Sequence, residues 1–101
     1  MFAGAASAQV PADPRLLTCN NPRLQASLRA GIGQRTGLTV TAVTNVRELR
    51  HTQAMRICRM HVATREGENA DFTYSLTLRG NTTDYLIIGI GNQRLPGAPA
   101  F

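Results

Sequence analysis

The sequence predicts an α+β domain in which one N-terminal helix packs on a four-stranded antiparallel meander sheet. Three observations predict it. Leu24, Leu28 and Ile32 recur every four residues and draw a single apolar stripe along a helix. After Gly37 the period changes from helical to alternating. The alternating stretches are joined by short polar segments that suit hairpin loops.

The chain has 101 residues, enough for one domain with one modest core. Residues 1–8 are small and apolar and end in Ala6-Ser7-Ala8, a pattern that signal peptidase accepts. They read as the remnant of a signal peptide, leaving Gln9 as the mature N-terminus. No basic segment precedes them, and the alternative is an Ala-rich leader without a targeting role. Residues 9–18 carry Pro11 and Pro14 and no period, so they form an extended lead-in to a domain that spans residues 19–91.

The helix starts where Asn20 or Asn21 can cap and Pro22 can occupy the first helical position, its missing N–H having no intrahelical partner there. Arg23, Gln25 and Arg29 face away from the apolar stripe. Gly31 and Gly33 weaken the last turn by about 1 kcal/mol each relative to Ala, so the helix should end between Gly33 and Gly37.

Leu38 to Val46, rich in Thr and Val, suits a first strand, with Val40, Ala42 and Val46 on one face, Val43 on the other and room for a bulge. Arg47 to Thr52 is polar and reads as a connection. Ala54 to Thr64 is the second strand, with Ala54, Cys58, Met60 and Val62 on one face and Arg59, His61 and Arg65 on the other. Glu66 to Asn69 is a turn in which Gly67 supplies a positive φ. In the third strand Phe72, Tyr74, Leu76 and Leu78 alternate with Thr73, Ser75, Thr77 and Arg79, so one face is expected in the core and the other in solvent. Gly80 to Asp84 is a second hairpin loop. Tyr85 to Ile90 is apolar on both faces, which suits a central strand or one covered by the lead-in or a partner chain. Residues 92–101 contain two prolines and no period and read as a flexible tail.

Two cysteines behind an export-like leader read as one disulfide, Cys19 to Cys58, because oxidising compartments form and keep such bonds. The alternative is a pair of reduced, buried thiols in a cytosolic protein. Cys19, Cys58, His51 and His61 lack the close paired spacing of a structural zinc site, so no metal is expected. Away from the leader no stretch approaches the roughly 20 apolar residues of a membrane span.

No catalytic constellation emerges, no cofactor is called for, and the chain does not read as an enzyme. Ser7, Ser27 and Ser75 are the only serines and none lies in a G-x-S-x-G elbow; His51 and His61 have no acid partner at a recognised spacing. Gly31-Ile-Gly33 and Gly89-Ile-Gly91 do not sit between a strand and a helix as a dinucleotide fingerprint requires. Asn81-Thr82-Thr83 matches a glycosylation acceptor and indicates only an exposed loop.

The charge is more informative. The net charge is +5, and all 11 basic residues are Arg, a bias expected of a GC-rich genome. Arg47, Arg50, His51, Arg56, Arg59, His61 and Arg65 fall within 19 residues, and Arg59, His61 and Arg65 share a strand face. Arg47, Arg50, Arg59, His61 and Arg65 are therefore the candidate partner-binding residues, facing another protein or an acidic envelope component. Nucleic acid is disfavoured, because no aromatic residue is interleaved with the arginines to stack on bases.

The run Ala54-Met-Arg-Ile-Cys58-Arg, followed by Phe72-Thr-Tyr74-Ser-Leu and a last apolar strand around Tyr85, resembles small exported bacterial α+β proteins of unknown function, some of them cystatin-like. The resemblance covers residues 19–90 and implies the fold. It implies no active site, and the wedge-loop sequence of true cystatin inhibitors is absent. The expectation is thus a non-enzymatic binding or interaction module, periplasmic or secreted, such as an inhibitor, an immunity protein or an envelope accessory protein. The alternative is a basic nucleic-acid-binding protein that uses an Arg-rich sheet face.

Overall fold

The computed structural model describes residues 11–95; the expected leader and all of the tail beyond Leu95 lie outside the described residues. Helix α1 spans Pro22–Thr36. The Asn21 side chain caps it, Oδ1 accepting from the N–H groups of Arg23 at 3.0 Å and Leu24 at 3.3 Å. The helix stops at Gly37, whose φ of 74° lets its N–H turn back and donate to the Gly33 carbonyl at 2.8 Å.

Five strands follow in one antiparallel sheet of order β1-β2-β3-β4-β5: β1 Val40–His51, β2 Met55–Thr64, β3 Asn69–Arg79, β4 Thr82–Ile90 and β5 Gln93–Arg94. The first four form the expected meander under one helix. The two-residue β5 is an addition: a turn at Gly91, with φ 63°, folds Gln93 and Arg94 back to pair with Ile90 and Gly89. Part of the segment expected to be a flexible tail thus belongs to the sheet.

Strand β1 runs five residues further than its alternation predicted. Arg47 to His51, expected as a connection, remains paired with β2 as far as His51 opposite Arg56. Three register shifts explain why the alternation was lost, falling between Val40 and Ala42, Thr44 and Arg47, and Glu48 and Arg50. Each resets which face a residue meets. The middle shift contains Asn45 at φ 55°, a left-handed conformation that Asn tolerates better than most residues. The Arg47 guanidinium braces it by donating to the Asn45 carbonyl at 2.9 Å.

Leu24, Leu28 and Ile32 from α1 meet Cys58, Met60 and Val62 from β2, Phe72, Tyr74 and Leu76 from β3, and Ile87 from β4. The lead-in belongs to this core: Leu16 is buried, the Asp13 N–H donates to Gln53 O, and the Arg56 Nε donates to Leu17 O. Cys19 and Cys58 are bonded, their Cα atoms 5.8 Å apart, so the chain two residues before the helix cap is fixed to the middle of β2.

The far face of the sheet departs from expectation. Thr73 and Ser75, read as solvent-facing, are buried, as are Ile57 and Ile88 on the same side. The Arg59 side chain lies across part of this face, donating to Thr73 Oγ1 and, at 2.9 Å, to the Gly91 carbonyl of the β4–β5 turn. A bulge between Thr73 and Tyr74 leaves Ile88 as the extra residue of β4.

The cysteines close a loop of about 40 residues, for which chain entropy gives roughly 4 kcal/mol of stabilisation. Replacing Cys19 and Cys58 together by Ala should lower the urea-unfolding free energy by about that amount. A loss below about 1 kcal/mol would show that native contacts alone fix the helix to the sheet.

Candidate functional site

The sequence singled out Arg47, Arg50, Arg59, His61 and Arg65. On the far face Arg47 pairs with Arg59 across β1–β2, and Thr44 with His61. Two of the five candidates converge on one acidic residue. Asp71 lies directly opposite His61 in the β2–β3 ladder. Its Oδ1 is 2.8 Å from His61 Nδ1, and its Oδ2 accepts from Arg59 Nε at 3.3 Å. The bond from His61 holds the Asp71 carboxyl below its usual range against the opposing effect of burial, and Arg59 lowers it further. Arg59 is consequently a bracing residue, with its donors directed at Asp71, Thr73 and Gly91. Arg65 is exposed at the β2–β3 turn, its backbone N–H donating to Thr39 O at 2.9 Å. Arg50 is exposed on β1.

A second charged group closes the helix side of the sheet. Glu48 accepts from Arg56 and is 2.8 Å from His51 Nδ1. Burial works to raise the Glu48 pKa, but Arg56 and His51 together outweigh it and leave it lowered. Arg56 also holds Leu17 O, so this group ties the lead-in to β1 and β2. Both histidines therefore have carboxylate partners that sequence spacing did not reveal.

A third feature was not anticipated. Tyr85 reaches from β4 to α1, its hydroxyl donating to the Ser27 carbonyl at 3.1 Å. A Cβ on Gly31 would lie 2.8 Å from the Tyr85 hydroxyl oxygen, so the glycine leaves room for the ring to rest on the helix. Tyr85 separates two depressions. One, of about 500 Å³, is lined by Leu17, Arg23, Leu24, Ser27, Tyr85 and Leu86 among others. The other, of about 310 Å³, is lined by Gly31, Gln34, Arg35, Tyr85, Leu86 and Ile87. A smaller apolar notch of about 180 Å³, lined by Ile32, Leu38 and Phe72 among others, opens at the C-terminal end of the helix.

Among the described residues no group of three or more His, Cys, Asp or Glu side chains is placed to hold a metal ion, and no helix is long and apolar enough to cross a membrane.

The Asp71 arrangement makes a prediction. Replacing Asp71 by Asn leaves Arg59, largely buried, without its carboxylate and should lower stability by about 1 to 2 kcal/mol. The sign with pH follows from the lowered folded-state pKa. The carboxylate's contribution is complete above its unfolded value of about 4 and is lost as pH falls through the folded value. Thermal melts between about pH 6 and pH 2 should therefore show a shallower acid loss for Asp71→Asn than for the parent, and parallel curves would contradict the assignment.

No family model matches the chain, and no curated protein or solved structure matches it.

Proposed function

We propose that this protein is a non-enzymatic binding module of the periplasm or the extracellular space, which holds another protein or an acidic component of the envelope. The observation that carries the reading is the buried Cys19–Cys58 bond, which joins helix to sheet inside the core. A structural bond of this kind persists where the surroundings are oxidising. The net charge of +5 supports an anionic partner, since Arg23, Arg29, Arg35 and Arg65 all lie on exposed positions. The roles of inhibitor, immunity protein and envelope accessory protein all fit a small stapled scaffold of this type.

The nucleic-acid alternative draws less support. Arg59 and His61, two members of the proposed cationic face, are directed at Asp71. Phe72 and Tyr74 are buried on the helix side of the sheet, where they cannot stack on bases.

Two measurements test the reading. Protein recovered from the cell envelope or medium should lack residues 1–8 and have a mass about 2 Da below that of its reduced form, the loss of two thiol hydrogens. Two free thiols in freshly isolated material would overturn the compartment. DNA and RNA should not be retained at about 50 mM salt, whereas retention that collapses between about 50 and 200 mM would replace this reading with nucleic-acid binding.

A further inference from the structure

We propose that the outer edge of β4, together with the two depressions flanking Tyr85, is a docking site for an extended acidic peptide segment of a partner protein, added to the sheet as a further strand. This rests on the reading of the chain as a binding module and names the surface that binds. The two edges of the sheet are built differently. Strand β1 has three register shifts, a left-handed Asn45 and the charged residues Arg47, Glu48 and Arg50, all features that prevent another strand from pairing. Strand β4 reads Thr-Thr-Asp-Tyr-Leu-Ile-Ile-Gly-Ile, and β5 pairs only with Gly89 and Ile90, its neighbour Leu95 adding one bond to Ile88 O. From Thr82 to Ile87 the main chain on the outer side of β4 has no backbone partner among the described residues; the lead-in meets this stretch at the Thr83 hydroxyl, which accepts from Leu17 N at 3.1 Å.

The ladder sets which groups are free. Arg79 and Thr82 close the two-residue Gly80-Asn81 loop, so alternation along the antiparallel pair turns the N–H and C=O of Thr83 and Tyr85 away from β3. Beside these groups Tyr85 is 37% and Leu86 52% exposed, large apolar side chains at a strand edge. An added strand would receive main-chain hydrogen bonds from Thr83 and Tyr85. Its alternate side chains would enter the depressions on either side of the Tyr85 ring, which the Ser27 carbonyl and Gly31 hold in place.

Charge selects the occupant. Arg23 lines one depression and Arg35 the other, both exposed on α1, while the nearby Asp84 is neutralised by Arg79 at 2.8 Å. A second copy of this chain would bring its own Arg23 and Arg35 to the same groove and set like charges together. An acidic segment meets complementary charge.

The test uses the full chain and a labelled nine-residue peptide of alternating Glu and Val, matching β4 in length, with a Lys–Val peptide as control. Fluorescence anisotropy should show saturable binding of the acidic peptide only. Amide exchange should then slow at Thr83 and Tyr85 by about tenfold or more. Arg23→Glu combined with Arg35→Glu, both on the exposed side of the helix, should weaken binding about tenfold or more with melting unchanged, and Leu86→Lys should weaken it as well. Protection appearing at Arg47 and Arg65 instead would overturn the groove and leave the binding-module reading standing. No binding of the acidic peptide at any site would count against both. Slow exchange at Thr83 and Tyr85 in the free protein would mean that a second copy or the chain's own ends already cover the edge, and would overturn the proposal.

Discussion

The Cys19 carbonyl accepts two hydrogen bonds, one from the distant Tyr74 hydroxyl at 2.9 Å and one from Gln25 Nε2 on the helix at 2.7 Å, while the sulfur of the same residue is bonded to Cys58. Tyr74 is wholly buried at the centre of β3, and Cys58 lies opposite it in the ladder. The residue that follows the lead-in is thereby held by main chain and side chain together against the middle of the sheet. Asn21 caps the helix two residues later, so the position and direction of α1 follow from this anchorage. Burial raises the Tyr74 hydroxyl to about 12, which keeps it a hydrogen-bond donor throughout the physiological range. Gln25 Oε1 is buried with no partner among the described residues, an uncompensated polar atom of the kind that costs about 1 to 3 kcal/mol. The two bonds from Nε2, to Cys19 O and Tyr74 Oη, fix the amide in that orientation.

Much of this architecture was legible because the decisive signals are local. Asn21-Pro22 at one end and Gly37 at the other bound the helix through capping chemistry that needs no tertiary context. The stripe of Leu24, Leu28 and Ile32 names its buried face correctly. The β1 boundary failed for a physical reason: alternation is readable only while the register holds, and three shifts within twelve residues break it. The buried Thr73 and Ser75 failed for another. A polar residue alternating with apolar ones is expected to face solvent unless something covers that side, and the cover over Thr73 includes an Arg59 side chain reaching from the neighbouring strand. The partners of His61 could have been found by counting. A hairpin centred on Glu66 places residues equidistant from that position opposite one another, which sets His61 against Asp71.

The basic cluster shows why residue type and spacing overstate a charged surface. Seven cationic or titratable residues within one strand and its approach suggest a stripe, yet folding distributes them between two faces and assigns several to internal work. Arg56 and His51 hold Glu48 on the helix side, and Arg59 and His61 hold Asp71 on the other. The chain has only six acidic residues, and Glu48 and Asp71 are committed in this way, while Arg23, Arg29 and Arg35 stay exposed along the helix.

Gly31 connects that helix surface to the open strand. Read from sequence, it is a defect that weakens the helix by about 1 kcal/mol relative to Ala. In the fold it gives the Tyr85 hydroxyl room above the helix backbone, where the Ser27 carbonyl accepts its hydrogen bond. Tyr85 so placed rests on the helix while its main chain stays at the sheet edge. A larger residue at position 31 would displace the ring from this seat. The glycine therefore gives up some helix stability for the shape of the surface between α1 and β4, where the strand from Tyr85 to Ile87 carries neither a charge nor a register shift, unlike β1.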